Sequence, residues 1–207
     1  MAQKLFPRLT LALCACLAVA GTAQARSSQD IAADFAKGVA AYDAGDYQKA
    51  FQIWWELRFE DLAAMRNLGM MLRKGQGTAK DPKKAQEIYE RAADVGMPTA
   101  QADLADMYLK GELGPPDMAS ALPLLARAAA AHHPGAQYQL GEFYETGAPP
   151  FVPQDLEKAR ELYAAAAASG MPEAIARSQY LGPPRSSSLA SSGETKAGPP
   201  RPSPQNP

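Results

Sequence analysis

The sequence predicts an all-α protein, a solenoid of antiparallel helix pairs with about four units and a terminal capping helix. Three observations carry that expectation. An apolar pattern recurs every 36 residues, at Leu68-Gly69, Leu104-Ala105 and Leu140-Gly141. A glycine follows each by six residues, at Gly75, Gly111 and Gly147. An aspartate then precedes an alanine by four, at Asp46 and Ala50, Asp81 and Ala85, Asp117 and Ala121, Asp155 and Ala159. A period of this length marks stacked helical repeats, because one helix pair cannot bury its apolar face alone.

The 207 residues fall into three segments of different composition. Residues 1–25 carry Lys4 and Arg8 and no acidic residue. A run from Leu9 to Ala20, broken only by Thr10, leads to Ala23-Gln24-Ala25. This is the pattern of a cleavable secretory signal peptide, with the cut expected after Ala25. The run is shorter than the ~20 residues a bilayer span needs. No integral membrane span is expected in the mature chain. An exported protein, periplasmic or secreted, is therefore expected. A lipoprotein is disfavoured because apolar residues continue after Cys16. Cys14 and Cys16 are the only cysteines, so cleavage leaves no disulfide and no thiolate metal site.

Residues 26–181 carry 16 Lys/Arg and 21 Asp/Glu and are long enough to bury a core. The whole chain has a formal charge of −1, which excludes a strongly basic nucleic-acid binder. Residues 182–207 hold seven Pro, six Ser and three Gly. That composition cannot bury enough apolar surface to offset ordering entropy, so an unstructured tail is expected. Its Pro199-Pro200-Arg201-Pro202 is a candidate polyproline ligand.

Within the middle segment each element has a physical reason. Asp46, Asp81, Asp117 and Asp155 are placed to accept from orphan amides at a helix start. Pro82 fits the first helical position, where its missing N–H is harmless. Apolar residues follow at helical spacing, Ala85, Tyr89, Ala92, Ala93 and Ala159, Tyr163, Ala166, Ala167. Gly96 and Gly170 end those helices, and Pro98, Pro134 and Pro172 open the next ones. The small residues Gly69, Ala105 and Gly141 let the paired helix approach closely. The units expected are 31–61, 62–97, 98–133 and 134–171, with a final helix over 172–181.

Some positions depart from the pattern. The third unit has Leu125 where others have Trp54, Tyr89 or Tyr163, His132 in place of glycine, and Pro123 inside a helix. The fourth has a longer loop containing Pro149-Pro150-Phe151. The first has a short loop at Gly45-Asp46. Trp54 is in register with Tyr89 and belongs in the core. Trp55 and Phe59 are out of register; they form either an exposed apolar patch for a partner or, the favoured reading because end units need caps, a cover for the N-terminal end of the stack.

The stretch Ala-Gln-Tyr-Gln-Leu-Gly-Glu-Phe-Tyr-Glu-Thr-Gly at 136–147, with Asp155, Lys158-Ala159, Tyr163, Ala166-Ala167 and Gly170 after it, resembles the Sel-1-like repeat (SLR). That family is related to the tetratricopeptide repeat. The resemblance covers residues 31 to 180. It implies a right-handed α-solenoid whose first helices line a concave face, and a role as adaptor or regulator in the cell envelope. By that register the groove takes Arg66, Met70, Arg73 and Lys74 from the second unit. The third unit gives Asp106 and Lys110, and the fourth gives Tyr138, Glu142 and Glu145. The row grades from basic to acidic and suits a protein or peptide partner of opposite grading.

No catalytic motif is present, neither Gly-x-Ser-x-Gly, His-Glu-x-x-His nor a phosphate-binding loop. No enzyme, cofactor or metal is expected. His132-His133, the only histidines, point different ways around a turn and read as surface residues. Two other readings fit the sequence, a peptidoglycan-binding or cell-wall-active protein and a structural subunit of an envelope or secretion assembly. A monomer is the default.

Overall fold

The computed structural model describes residues 26–185. Among these there are nine α-helices and no β-strand, only one isolated bridge between Ala148 and Val152. The helices are α1 (Ser28–Asp43), α2 (Tyr47–Leu57), α3 (Leu62–Lys74), α4 (Pro82–Asp94), α5 (Pro98–Leu109), α6 (Met118–Ala130), α7 (Pro134–Thr146), α8 (Leu156–Ala168) and α9 (Pro172–Leu181). The substantial contacts all join helices adjacent in sequence. This is the one-dimensional stacking of an α-solenoid, four helix pairs followed by α9.

The four aspartates cap as their spacing requires. Asp46, Asp81, Asp117 and Asp155 each accept the amide three residues on, at 3.0–3.2 Å. Each also donates its own amide to the first helix of its pair. Asp81 reaches the Leu72 carbonyl at 2.9 Å, Asp117 that of Tyr108 at 2.9 Å, and Asp155 that of Tyr144 at 2.8 Å. Asp46 does the same to Ala41 at 2.9 Å. One residue thus satisfies orphan groups at both ends of a turn.

The core is built from a small residue facing a large one. A Cβ on Gly69 would sit 2.6 Å from the Tyr89 ring, and one on Gly141 2.8 Å from the Tyr163 ring. The same clash recurs between Gly38 and the Trp54 indole. Gly38 is the first unit's small position, which the sequence reading passed over. In the third unit the pair is Ala105 with Leu125, both fully buried in one cluster. The larger small residue accompanies the smaller large one, so pair volume is held roughly constant.

Three expectations need correction. Trp55 and Phe59 do not cover the stack's end; they are 41% and 67% exposed. Ile31 and Phe35 of α1 pack on the first core cluster instead. That helix begins at Ser28 with a capping box of Ser27 and Asp30, three residues before the expected boundary. His133 is not a plain surface residue. It is half-buried, and its Nδ1 accepts the Ala136 amide at 3.1 Å as the N-cap of α7. His132, standing where the neighbouring units have glycine, adopts φ 60°. Pro123 is exposed, and α6 runs through it.

The expected tail starts as described residues. Leu181 closes α9, and the Arg185 amide donates to Glu157 on α8. The expected signal peptide and residues 186–207 lie outside the described residues. No described helix is long and apolar enough to cross a membrane.

Candidate partner-binding site

The cleft between α3 and α5 gathers much of the residue set read from the register. Arg66, Met70, Arg73, Lys74 and Lys110 line it, with a volume of about 500 Å³. Their spacing along α3 and α5 follows helical geometry, since residues three and four apart share a face. Lys80, Tyr89, Asp103 and Glu112 also line the cleft and were not anticipated. Asp103 could have been found, because it lies one turn before Asp106 on the same helix face.

Most charges in the cleft are spent on holding units two and three together. Arg66 Nε donates to Asp103 at 2.7 Å. Arg73 grips Glu112 through Nε at 2.7 Å and Nη2 at 2.5 Å, and Asp106 through Nη2 at 2.5 Å. Lys110 adds a 2.9 Å bond to Asp106. The Arg73 side chain is only 17% exposed. Bidentate pairing of this kind fixes geometry as well as charge.

The electrostatics agree with the geometry. Hydrogen bonding to Glu112 raises the Arg73 pKa above its ordinary value, against the effect of burial. The same bond holds the Glu112 carboxyl low. Burial alone would raise Asp106, but bonds from Arg73 and Lys110 outweigh it and leave it low. Burial pushes the Tyr89 phenol up, and the Asp103 charge adds to this.

Five cations meet three carboxylates here: Arg66, Arg73, Lys74, Lys80 and Lys110 against Asp103, Asp106 and Glu112. Lys74 and Lys80 are exposed and make no ion pair within the described residues. The cleft, which Met70 also lines, thus carries a surplus of positive charge.

The α7 residues form a separate group. The Tyr163 hydroxyl donates to Glu145 at 2.7 Å, and Arg177 of α9 reaches the same carboxylate at 3.3 Å. Tyr138 packs against Tyr163 with centroids 5.4 Å apart. Glu142 is near enough to Tyr163 to help raise its pKa, after burial and the Glu145 bond. Tyr138, Glu142 and Glu145 do not line the α3–α5 cleft. The cleft therefore gathers the α3 and α5 members of the expected row and not its α7 members. Arg66 and Arg73 on α3 are paired with carboxylates on α5 and the loop after it, and Glu145 is tied to α8 and α9.

Buried amides also escaped the sequence reading. Gln101 and Gln137, 36 residues apart, are 3% and 4% exposed. Their Nε2 groups donate to the carbonyls of Ala93 and Ala129, at the end of the preceding helix. The shared period was the signal. Among the described residues no group of three or more His, Cys, Asp or Glu could hold a metal ion.

Comparison with known proteins places this architecture. The Sel1 repeat model matches residues 62–97, 98–133 and 134–171, just over half of the chain. A Sel1 repeat protein from Oxalobacter formigenes is 32% identical, with a TM-score of 0.65 over 70% of this chain and 58% of its own. A protective antigen of uropathogenic Escherichia coli displaying an SLR fold, c5321, is 22% identical, with a TM-score of 0.64. That match covers 73% of this chain and 33% of the antigen. This chain therefore spans well under two thirds of either protein. No curated protein matches it. The three matched boundaries coincide with the units read from the 36-residue period, and the chain belongs to the Sel1 repeat family.

Proposed function

We propose that this protein is an exported interaction scaffold that binds a partner protein or peptide in the α3–α5 cleft, through acidic groups on the partner. Sel1 repeats are generally protein–protein interaction scaffolds, and the fold is typically non-catalytic. Export rests on the signal-peptide character of residues 1–25. The observation that carries the binding reading is the surplus of Lys74 and Lys80 in a cleft whose other charges are already paired. A paired and rigid framework loses little entropy on binding, and free ammonium groups lining the cleft attract carboxylates.

The structure also dictates how to test it. Reversing Arg66 or Arg73 would set a new carboxylate beside Asp103, or beside Asp106 and Glu112, and would disturb the stack itself. Reversing Lys74 and Lys80 leaves the framework intact. Full-length protein, crosslinked in cells and captured, should bring down a defined protein with an acidic surface segment. The Lys74→Glu, Lys80→Glu variant should bind that purified protein about tenfold more weakly, ~1.4 kcal/mol. Its helicity by circular dichroism should be unchanged. Equal affinity of both forms would remove the cleft as the binding surface.

A further inference from the structure

A repeat protein supplies its own controls, because each unit presents equivalent positions. Trp54, Tyr89, Leu125 and Tyr163 occupy one buried slot. The residue three before that slot and the residue one after it lie on the flank of the second helix. In units two, three and four these are Gln86 and Glu90, Leu122 and Ala126, and Arg160 and Ala164. Gln86 donates to Glu90 at 2.8 Å and to the Tyr108 hydroxyl of the next unit at 3.1 Å. In unit one the two positions hold Phe51 and Trp55. Stacking of units needs no aromatic pair here, yet the first unit has one.

The two rings stack, with centroids 5.9 Å apart and 19° between planes. They form one wall of a groove of about 330 Å³ between α2 and α4, with Leu72 beneath and Glu56, Thr78 and Lys84 at the rim. The Arg58 guanidinium lies 4.3 Å from the Trp55 ring centroid.

We propose that this groove holds Pro199-Pro200-Arg201-Pro202 of the same chain. Flat, stacked aromatic rings are the surface on which prolyl rings pack, and a polyproline segment loses little entropy on docking. Glu56 supplies a carboxylate for Arg201; its present contact, to Arg26, is long at 4.0 Å. The fourth unit already shows the arrangement in part. Arg160, its counterpart of Phe51, donates through Nε to the Leu181 carbonyl at 2.8 Å. The Arg185 amide donates to Glu157, one turn earlier on α8. The chain leaving α9 through Pro183-Pro184 therefore runs along the matching flank of unit four.

The geometry of reach agrees. Arg185 sits near the start of α8, as Lys84 sits near the start of α4. Packed helices lie about 10 Å apart, so the two to three units between α8 and the α2–α4 groove separate the two sites by roughly 20–30 Å. Residues 186–198 can span about 40 Å at the polyproline rise of ~3.1 Å per residue.

The test uses the full-length protein with a benzophenone-bearing residue in place of Ser203. Irradiation should link that residue to α2, mapped by mass spectrometry, in a yield independent of protein concentration. Trp55→Ala should lower the yield about tenfold, the effect of losing a central aromatic anchor. Glu56→Lys, an exposed change that leaves packing untouched, should lower it several-fold. Crosslinks only outside the groove would overturn the proposal. So would a yield that rises with concentration, which would assign the groove to a second copy, or one indifferent to both substitutions. None of these outcomes bears on Lys74 and Lys80.

Discussion

At the scale of single residues, the capping positions decide where each helix begins, and one of them is titratable. His133 stands where the neighbouring units have Met97 and Met171, neither of which makes a side-chain cap. Its Nδ1 must be unprotonated to accept the Ala136 amide. Burial, with Arg66 adding and Asp103 opposing, holds the imidazole below its usual 6.5. The unfolded chain therefore takes up the proton first as pH falls. The cap's contribution is complete above about 6.5 and is lost as pH drops through the window beneath it. Asparagine accepts the same amide at any of these pH values. Between pH 7.5 and 5.5 the native protein should lose about 1 kcal/mol more stability than His133→Asn, measured by urea unfolding. Parallel loss in both proteins would show that His133 is not the linked group. This role was hidden in the sequence, because a histidine among turn residues looks the same whether its ring nitrogen caps or faces water.

At the scale of the helix pair, what was legible was the rhythm of small and large residues, and what was not was the partner of each charge. Leu68-Gly69 and Tyr89 announce themselves by period, because core packing repeats with the unit. Arg66 and Arg73 announce only a helix face. Whether that face meets solvent or Asp103, Asp106 and Glu112 depends on the angle between units, which no single-helix pattern encodes. Gly38 was missed for a related reason. The short loop at Gly45 shifts the first unit out of the 36-residue step, although the packing of Gly38 on Trp54 is the same. The size rule within a pair is testable through Gly69. Tyr89 is 1% exposed and has nowhere to withdraw from a new methyl group. Gly69→Ala should cost about 1–3 kcal/mol by overpacking. Adding Tyr89→Leu recreates the Ala105–Leu125 pairing of unit three. The double variant should therefore be more stable than the sum of the two single losses, by about 0.5–3 kcal/mol. Strict additivity in thermal or urea unfolding would refute the complementarity.

At the scale of the whole molecule, stability is transmitted from neighbour to neighbour. The core is a chain of overlapping clusters rather than one centre, and substantial contacts join only consecutive helices. Ion pairs reaching from α3 to α5 and beyond, Arg66 with Asp103 and Arg73 with Asp106 and Glu112, tie units two and three more tightly than sequence order requires. At the C-terminal end α9 is held by the buried Ala174, by Arg177 on Glu145, and by Arg160 on the Leu181 carbonyl. Tyr163 is the hub of that end: it is fully buried, packs on Gly141 and Tyr138, and bonds Glu145. Truncating it to alanine removes the ring and leaves Glu145 without that donor, a loss of about 3–5 kcal/mol. In a globule with a single core this would lower protection everywhere at once. In a one-dimensional stack it falls on the last unit and fades along the chain. Hydrogen exchange of Tyr163→Ala should show protection lost in α7, α8 and α9, little changed in α5 and α6, and native in α1 to α4. A uniform loss would mean that the inter-unit ion pairs make the solenoid one cooperative body. The α3–α5 cleft would then be coupled to the end of the stack rather than insulated from it.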